Sequence, residues 1–382
     1  MVMAPFTSRD HRLMGRALQL ARRGLYTTDP NPRVGCVVVR DGHVLGEGFH
    51  VRAGEPHAEV LALAHAGEAA RGATAYVTLE PCSHHGRTPP CVDALLRAGV
   101  GRVVVAMTDP NPLVAGRGLE RLREAGVAVA VGLMESEARA LNPGFVSRME
   151  RGRPWVRVKL AASLDGRTAM ASGESRWITG EAARRDVQFL RARASAILTG
   201  MGTVRADDPR LDVRLSAEAL DVDGPVRQPL RVVLDREGRL TAAARLFQTE
   251  GPVLVLTDPE ALARQTRDLA DVNARVEAVT VSRGHLDLPA VMNLLARHQV
   301  NELHVEAGPV LCGALLGAGL VDELVIYLAP HLMGATARGL FDLPLGRMAD
   351  RVALDISDMR AVGRDWRITA RVVGPGAGDE GR

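Results

Sequence analysis

Aromatic side chains are scarce in this sequence: 6 Phe, 3 Tyr and 3 Trp among 382 residues. That scarcity argues against a base-stacking single-strand binder, which needs aromatic platforms, and leaves the cores to Ala, Val and Leu. Cysteine is sparse too. Four in a chain this long make no disulfide framework, which points to a reducing cytoplasm and invites a metal or catalytic role for some of them. The net charge of +3 is too small for a nucleic-acid footprint. Arginines scattered through stretches such as Arg184 to Arg193 read as a solvated helix face. No apolar run of membrane-spanning length occurs. The longest candidate, Leu311 to Val321, is rich in Gly and Ala and reads as a buried helix. Met1 to Asp10 carries no apolar signal region.

What is present is ordinary for a folded enzyme, with 46% hydrophobic and 24% charged residues, over a length that favours two domains. Leu13, Met14, Ala17, Leu18 and Ala21 recur at helical spacing before Gly24. Val34 to Val39 and Val44 to Phe49 flank Asp41-Gly42 as a hairpin. A helix from about His57 to Ala66, a strand Ala75 to Leu79, a helix from Cys91, a strand Val103 to Met107, a helix Leu119 to Ala125 and a strand Val127 to Val131 then alternate, the pattern of an α/β layer. Ser136 to Met149 reads as one helix. Arg151-Gly152-Arg153-Pro154 breaks the periodicity, so the domains are expected at 1–150 and 151–373, with a disordered tail at 374–382. The second half reads as strands 156–160, 196–199, 230–234, 253–256, 276–281, 303–306 and 324–328, with helices 182–193, 288–297 and 311–319: a second α/β domain.

The strongest chemical signal is His57-Ala58-Glu59 followed by Pro81-Cys82 and, eight residues on, Cys91. Catalytic zinc takes three protein ligands and keeps its fourth position for water; one imidazole and two thiolates fit that count. Glu59, two residues from His57, is poorly placed as a fourth ligand but suits a general acid–base that takes a proton from water and returns it to a ring nitrogen and a leaving amine. Cys91 at a helix start gains thiolate character from the helix dipole. H-x-E with P-C-x-x-C is the signature of zinc nucleobase deaminases; here the cysteines are spaced C-x8-C. His84 and His85 are rival ligands, read as loop residues. Cys36 and Cys312 read as small buried hydrophobes.

The second half is less explicit on its own. Gly200-Met201-Gly202 lacks the third glycine of a dinucleotide fingerprint. Gly308-Pro309, between a strand and a helix, lets backbone N–H groups hold a phosphate, although an ordinary strand-to-helix turn is the simpler account. Arg191 and Arg214 suit a sugar phosphate, or are plain surface arginines. Trp177 is a cofactor contact or a core residue.

The sequence resembles the bifunctional deaminase–reductases of riboflavin biosynthesis. The resemblance is carried by Asn31-Pro32-Arg33-Val34-Gly35-Cys36, Gly54-Glu55-Pro56-His57-Ala58-Glu59, the run Thr78 to Cys91 with its lengthened inter-cysteine loop, and Asp109-Pro110-Asn111-Pro112 with Val114 to Gly118. In the second half Lys159 to Arg167, Ser172 to Thr179, Thr203 to Pro209 and Val305 to Pro309 continue it. It implies a cytidine-deaminase-like three-layer α/β domain followed by a dihydrofolate-reductase-like domain, with zinc and NADPH as cofactors. Zinc would fall to His57, Cys82 and Cys91, and acid–base work to Glu59. NADPH would touch Ala161, Trp177, Thr203 and Asp207, together with Gly308, Pro309, Val310, Leu311, Cys312, Gly313 and Ala314. Substrate would touch Ser175, Arg191, Leu211, Arg214 and Glu306.

The expected reaction sequence is hydrolytic deamination of a 2,5-diamino-6-ribosylamino-pyrimidinone phosphate, then NADPH-dependent reduction of ribosyl to ribityl. The expected partner is that small-molecule pyrimidine ribosyl phosphate, with no nucleic acid and no membrane; a homo-oligomer stays open. Two other readings compete: a tRNA or deoxycytidylate deaminase with an accessory domain, and a structural-zinc module without turnover.

Overall fold

A computed structural model of the chain describes residues 6–84, 89–112 and 114–373; the tail 374–382 and His85 lie outside them. Two compact units emerge, one of residues 1–152 with 217–224, the other of 153–216 with 225–382.

The first unit runs α1 (Ser8–Arg22), β1 (Gly35–Arg40), β2 (His43–Phe49), α2 (Ala58–Ala66), β3 (Thr74–Val77), α3 (Cys91–Arg97), β4 (Arg102–Val105), α4 (Arg117–Glu124), β5 (Ala128–Val131), α5 (Glu135–Leu141) and α6 (Pro143–Arg151). The sheet order is β2-β1-β3-β4-β5, with β1 antiparallel to β2 and β3 and the rest parallel. A capping box starts α1: Asp10 N–H donates to the Thr7 hydroxyl and Thr7 N–H to the Asp10 carboxylate. Helices cover both sheet faces, so β1 is apolar on both. Cys36 and Val38 pack with Ala58, Ala62, Val92, Leu95 and Leu119; Val37 and Val39 pack with Met14, Ala17, Phe145 and Val146. This is the three-layer arrangement.

Two strand glycines bring α2 close. A Cβ on Gly46 would lie 2.1 Å from the Ala62 carbonyl oxygen, and one on Gly48 2.4 Å from that of Ala58. The helix bearing Glu59 therefore lies against β2 at backbone contact distance.

The second unit contains β6 (Trp155–Ser163), β7 (Arg167–Ala169), α7 (Glu181–Arg193), β8 (Ala196–Gly200) and α8 (Met201–Asp207). After a short α9 (Ala217–Leu220), which groups with the first unit, come β9 (Leu230–Leu234), β10 (Val253–Thr257), α10 (Leu262–Asp268), β11 (Ala274–Ala278), the small hairpin β12 (Val281–Ser282) and β13 (His285–Leu286), α11 (Leu288–Arg297), β14 (Glu302–Val305) and α12 (Pro309–Gly317). β15 (Glu323–Ala329), β16 (Arg338–Gly339), β17 (Leu354–Val362) and β18 (Asp365–Val372) complete it. Its main sheet is β11-β10-β9-β8-β14-β6-β15-β18-β17, parallel from β11 through β15 and antiparallel at β18 and β17.

Most expected elements appear; β7, α9, α10, β13 and β16 have no expected counterpart, the strand expected over 276–281 is β11 and β12, and three further differences have clear causes. The single helix expected over 136–149 is two, because Pro143 cannot continue the ladder and Asn142 leaves helical geometry at φ −119°. Met201–Asp207 is helical, which the two glycines at 200 and 202 had obscured. The β17–β18 hairpin escaped because its solvent-facing strands carry Asp and Arg where apolar alternation would be read.

The central strands bury a charge cluster. Arg157, 1% exposed, donates from Nε to Glu323 (3.0 Å) and from Nη2 to Glu302 (3.1 Å). Arg193 also pairs with Glu302, at 2.9 Å. Burial opposes the Arg157 charge, but the carboxylates of Glu323 and Glu302 outweigh it and raise its pKa. Arg157→Met should leave two buried carboxylates short of a partner and destabilise the second unit by about 3–5 kcal/mol, read as a lowered denaturant midpoint.

Candidate metal centre and cofactor site

Two helix starts and one strand end build the first site. His57 occupies the N-cap of α2 in extended conformation (φ −75°, ψ 164°). Cys91 is the first residue of α3, and Cys82 follows the end of β3 through Pro81. The ligand-type atoms of His57, Cys82 and Cys91 all lie within 4.8 Å of one another. His57 Nδ1 is 3.2 Å from the Cys91 sulfur and 3.6 Å from that of Cys82. With Zn–N near 2.0 Å and Zn–S near 2.3 Å, a tetrahedral ion would separate N and S by about 3.5 Å. The trio fits zinc.

Charge favours the same ion. The Cys91 N–H donates to the Cys82 sulfur at 3.3 Å. The neighbouring Cys91 thiol, the largest influence, that N–H and His57 together overcome burial and bring the Cys82 thiol down to about 4. Cys91 shifts upward, because thiolate beside thiolate and burial both disfavour its charge. The two sulfurs thus shift in opposite directions. Glu59, 3% exposed in the first turn of α2, is pushed up to about 7, chiefly by burial and then by the Cys82 charge. A carboxyl so tuned can take and return a proton near neutral pH. His84 is exposed and outside the trio; Cys36 and Cys312 are free and buried. His50 was missed: its ring meets His57 edge-on at 5.1 Å, and its Nε2 lies 3.0 Å from Asn31 Nδ2. Asn31 stood in a motif quoted above; nothing around His50 marked it.

In the second unit, β8 and β14 are adjacent parallel strands, and each runs through a glycine into a helix. Gly200 and Gly308 are the N-caps of α8 and α12, both in extended conformation and neither with a side-chain cap. The open N–H groups at the carboxyl edge of a parallel sheet suit a dinucleotide phosphate, and a Cβ on Gly308 would meet nothing within 4 Å. The residues fit NADPH.

The expected cofactor contacts divide. Gly308, Val310 and Ala314 are exposed, while Pro309 and Leu311 are half-buried. Cys312 and Gly313 face the core: the Cys312 thiol donates to the Ala307 carbonyl at 3.3 Å, and a Cβ on Gly313 would lie 2.2 Å from the Asp342 carbonyl. Ala161 lies on β6. Thr203 and Asp207 lie on α8, with Arg176 donating to the Asp207 carbonyl at 2.8 Å. Trp177 is 69% exposed and flanked by Arg184 at 4.6 Å, so core packing does not explain it.

Of the expected substrate contacts, Arg191 and Glu306 pair with each other. Nε and Nη2 of Arg191 donate to the two carboxylate oxygens at 2.6 and 2.9 Å, and Nη1 to the Asp212 carbonyl at 2.9 Å. Arg214 points outward, its side chain 52% exposed, and meets Asp212 at 2.6 Å. Ser175 is half-buried; Leu211 is buried at φ +53°. Lys159 on β6 was missed as well. It is the only lysine among the 48 basic residues, and burial lowers its pKa against the opposing pull of Glu306.

Comparisons with known proteins agree with this anatomy. Residues 7–107 match the cytidine and deoxycytidylate deaminase zinc-binding region, and residues 154–368 match the RibD C-terminal domain. The riboflavin biosynthesis protein RibD of Escherichia coli (strain K12) is 56% identical over 93% of this chain and 97% of its own. The chain belongs to the RibD family. The solved Acinetobacter baumannii RibD is 46% identical with a TM-score of 0.88, covering 96% of this chain and 99% of that one. A Thermotoga maritima structure, described as a diaminohydroxyphosphoribosylaminopyrimidine deaminase/5-amino-6-(5-phosphoribosylamino)uracil reductase, is 33% identical with a TM-score of 0.82 over 96% and 99%.

As a RibD family member the chain is a bifunctional deaminase–reductase of riboflavin biosynthesis that uses zinc and NADPH. Its α/β fold class, a cytidine-deaminase-like domain followed by a reductase domain, is the one expected. No helix among the described residues is long and apolar enough to cross a membrane.

If the trio holds the metal, Cys82→Ser or Cys91→Ser should reduce zinc by about tenfold or more after dialysis, measured by elemental analysis, with the reductase activity intact.

Proposed function

We propose that the first unit hydrolyses the amine of 2,5-diamino-6-ribosylamino-4(3H)-pyrimidinone 5′-phosphate and that the second reduces the ribosyl group of the product to ribityl. The observation that carries this reading is the buried Glu59 carboxyl beside an imidazole–dithiol trio that offers three ligands. His57, Cys82 and Cys91 are the metal ligands. Bound zinc supplies the Lewis acidity that makes water nucleophilic near neutral pH. Glu59 takes one proton from the attacking water and passes it to the ring nitrogen, then takes the remaining proton from the hydroxyl on the tetrahedral carbon and delivers it to the departing amine, so that water and amine become carbonyl and ammonia. Burial of Glu59 keeps bulk water from competing for that proton.

In the second unit NADPH supplies hydride to the ribose C1′. Gly308 and the first turn of α12, with Ala161, Trp177, Thr203 and Asp207, are the residues to hold it. Arg191 fixes Glu306 as a substrate acceptor, Arg214 meets the phosphate, and Ser175 and Leu211 line the approach. Lys159 brings a half-buried ammonium to the Arg191–Glu306 pair, where ring opening needs a proton. The substrate is a small molecule, and neither nucleic acid nor membrane has a part in this reading. Free, mostly buried cysteines support a cytoplasmic setting, and association into a homo-oligomer is compatible with all of it.

Zinc-loaded enzyme should release ammonia from this substrate. Glu59→Ala should slow release by at least roughly 10²-fold with zinc retained; undiminished release would remove Glu59 from its role. NADPH oxidation, followed by absorbance, should require the deaminated intermediate. Equal oxidation in its absence would overturn the second assignment.

A further inference from the structure

Glu80 precedes Pro81-Cys82 and is 3% exposed, yet its carboxylate contacts all lead away from the metal trio. The N–H groups of Asp109 and Gly116 donate to its Oε2 at 3.1 and 2.9 Å, and that of Gly118 donates to Oε1 at 2.9 Å. Three backbone amides converge on one buried acid. Its own N–H donates to the Met107 carbonyl at 3.0 Å, which fixes the main chain from which that carboxylate projects.

Inside the segment the Val114 and Ala115 N–H groups both donate to the Asn111 carbonyl at 2.9 Å and that of Arg117 to the Val114 carbonyl at 3.0 Å; Glu80 ties these local turns to the chain before Cys82. Pro110 and Pro112 lack N–H groups, and the Asn111 N–H turns back to the Asp109 carboxylate at 2.9 Å. Gly116 stands at φ +80°, a region that favours glycine. A Cβ on Gly118 would lie 2.2 Å from the Pro81 carbonyl oxygen, so the segment touches the backbone of the turn that delivers Cys82. At its front edge, burial pushes the Asp109 carboxyl up to about 6, with the Glu80 and Cys82 charges adding to that and His84 opposing it. The two oxygens of this one carboxyl group hold both ends of the segment at once.

We propose that Glu80 is a positioning residue for the deamination: it holds residues 109–112 and 114–118 against the Cys82 turn so that Asp109 and Asn111 form a wall of the pyrimidine pocket. The inference rests on the deaminase reading above and deepens it. Glu80 acts on substrate binding through the segment and leaves the metal and Glu59 in place.

The test uses the full-length, zinc-loaded chain as wild type, Glu80→Gln and Gly118→Ala. The amide of Gln presents a donor where one of the N–H groups needs an acceptor, and the added Cβ of Ala pushes the segment from Pro81. Both variants should raise KM for the pyrimidine substrate by about tenfold or more, with kcat within about threefold, zinc at the wild-type level, and NADPH oxidation of the deaminated intermediate unchanged. An unaltered KM in both overturns the proposal. So does zinc loss that parallels the activity loss, which would make Glu80 a support of the metal alone. Should Glu80→Gln lose the deaminase fold by circular dichroism, Gly118→Ala decides by the same criteria. Absence of ammonia release by the zinc-loaded wild type would instead refute the deaminase reading, and the inference with it.

Discussion

Parallel strands force every crossover helix to begin at the same edge of the sheet, and both sites of this chain depend on that constraint. In the first unit the loop after β3 brings Cys82 to that edge, and α2 and α3 begin there with His57 and Cys91. In the second, β8 and β14 lie side by side, and α8 starts directly after β8 and α12 three residues after β14, both without a side-chain cap. Unsatisfied N–H groups and positive dipole ends thereby accumulate at that edge, an arrangement that suits thiolates and phosphates. Neither site asks for a special backbone invention; each is sited by topology and specified by a handful of side chains.

The two units use burial in opposite ways. In the deaminase, burial keeps Glu59 protonatable near neutral pH and leaves Cys82 and Cys91 as an unequal pair. In the reductase, burial pushes the half-buried Glu306 and Glu323 carboxyls up, but neighbouring guanidinium groups outweigh it and hold both below the usual carboxylate range. Arg191 meets Glu306 in a two-pronged bond, and Arg157 serves Glu302 and Glu323.

How much of this could be read from the chain follows the range of each interaction. His57, Glu59, Cys82 and Cys91 were legible because metal chemistry fixes residue types, and local elements fix their spacing. Gly308-Pro309 was half legible, since a glycine between strand and helix serves folding and phosphate binding alike. The Arg191–Glu306 pair, 115 residues apart, was found only as two separate contacts. Glu80 was invisible as an organiser because its partners are main-chain amides, which carry no sequence signature. The β17–β18 hairpin failed for another reason: charged residues on strands open to solvent erase the alternation by which strands are recognised.

The lone lysine has a practical side. Position 159 sits mid-way along β6, which is hydrogen-bonded on one side to β14 and on the other to β15. A lysine-specific endoprotease therefore finds one peptide bond in the whole polypeptide, closed off inside the middle of a sheet. Cutting there yields two fragments of predictable mass, and its rate becomes a built-in clock for how often the centre of the reductase comes apart.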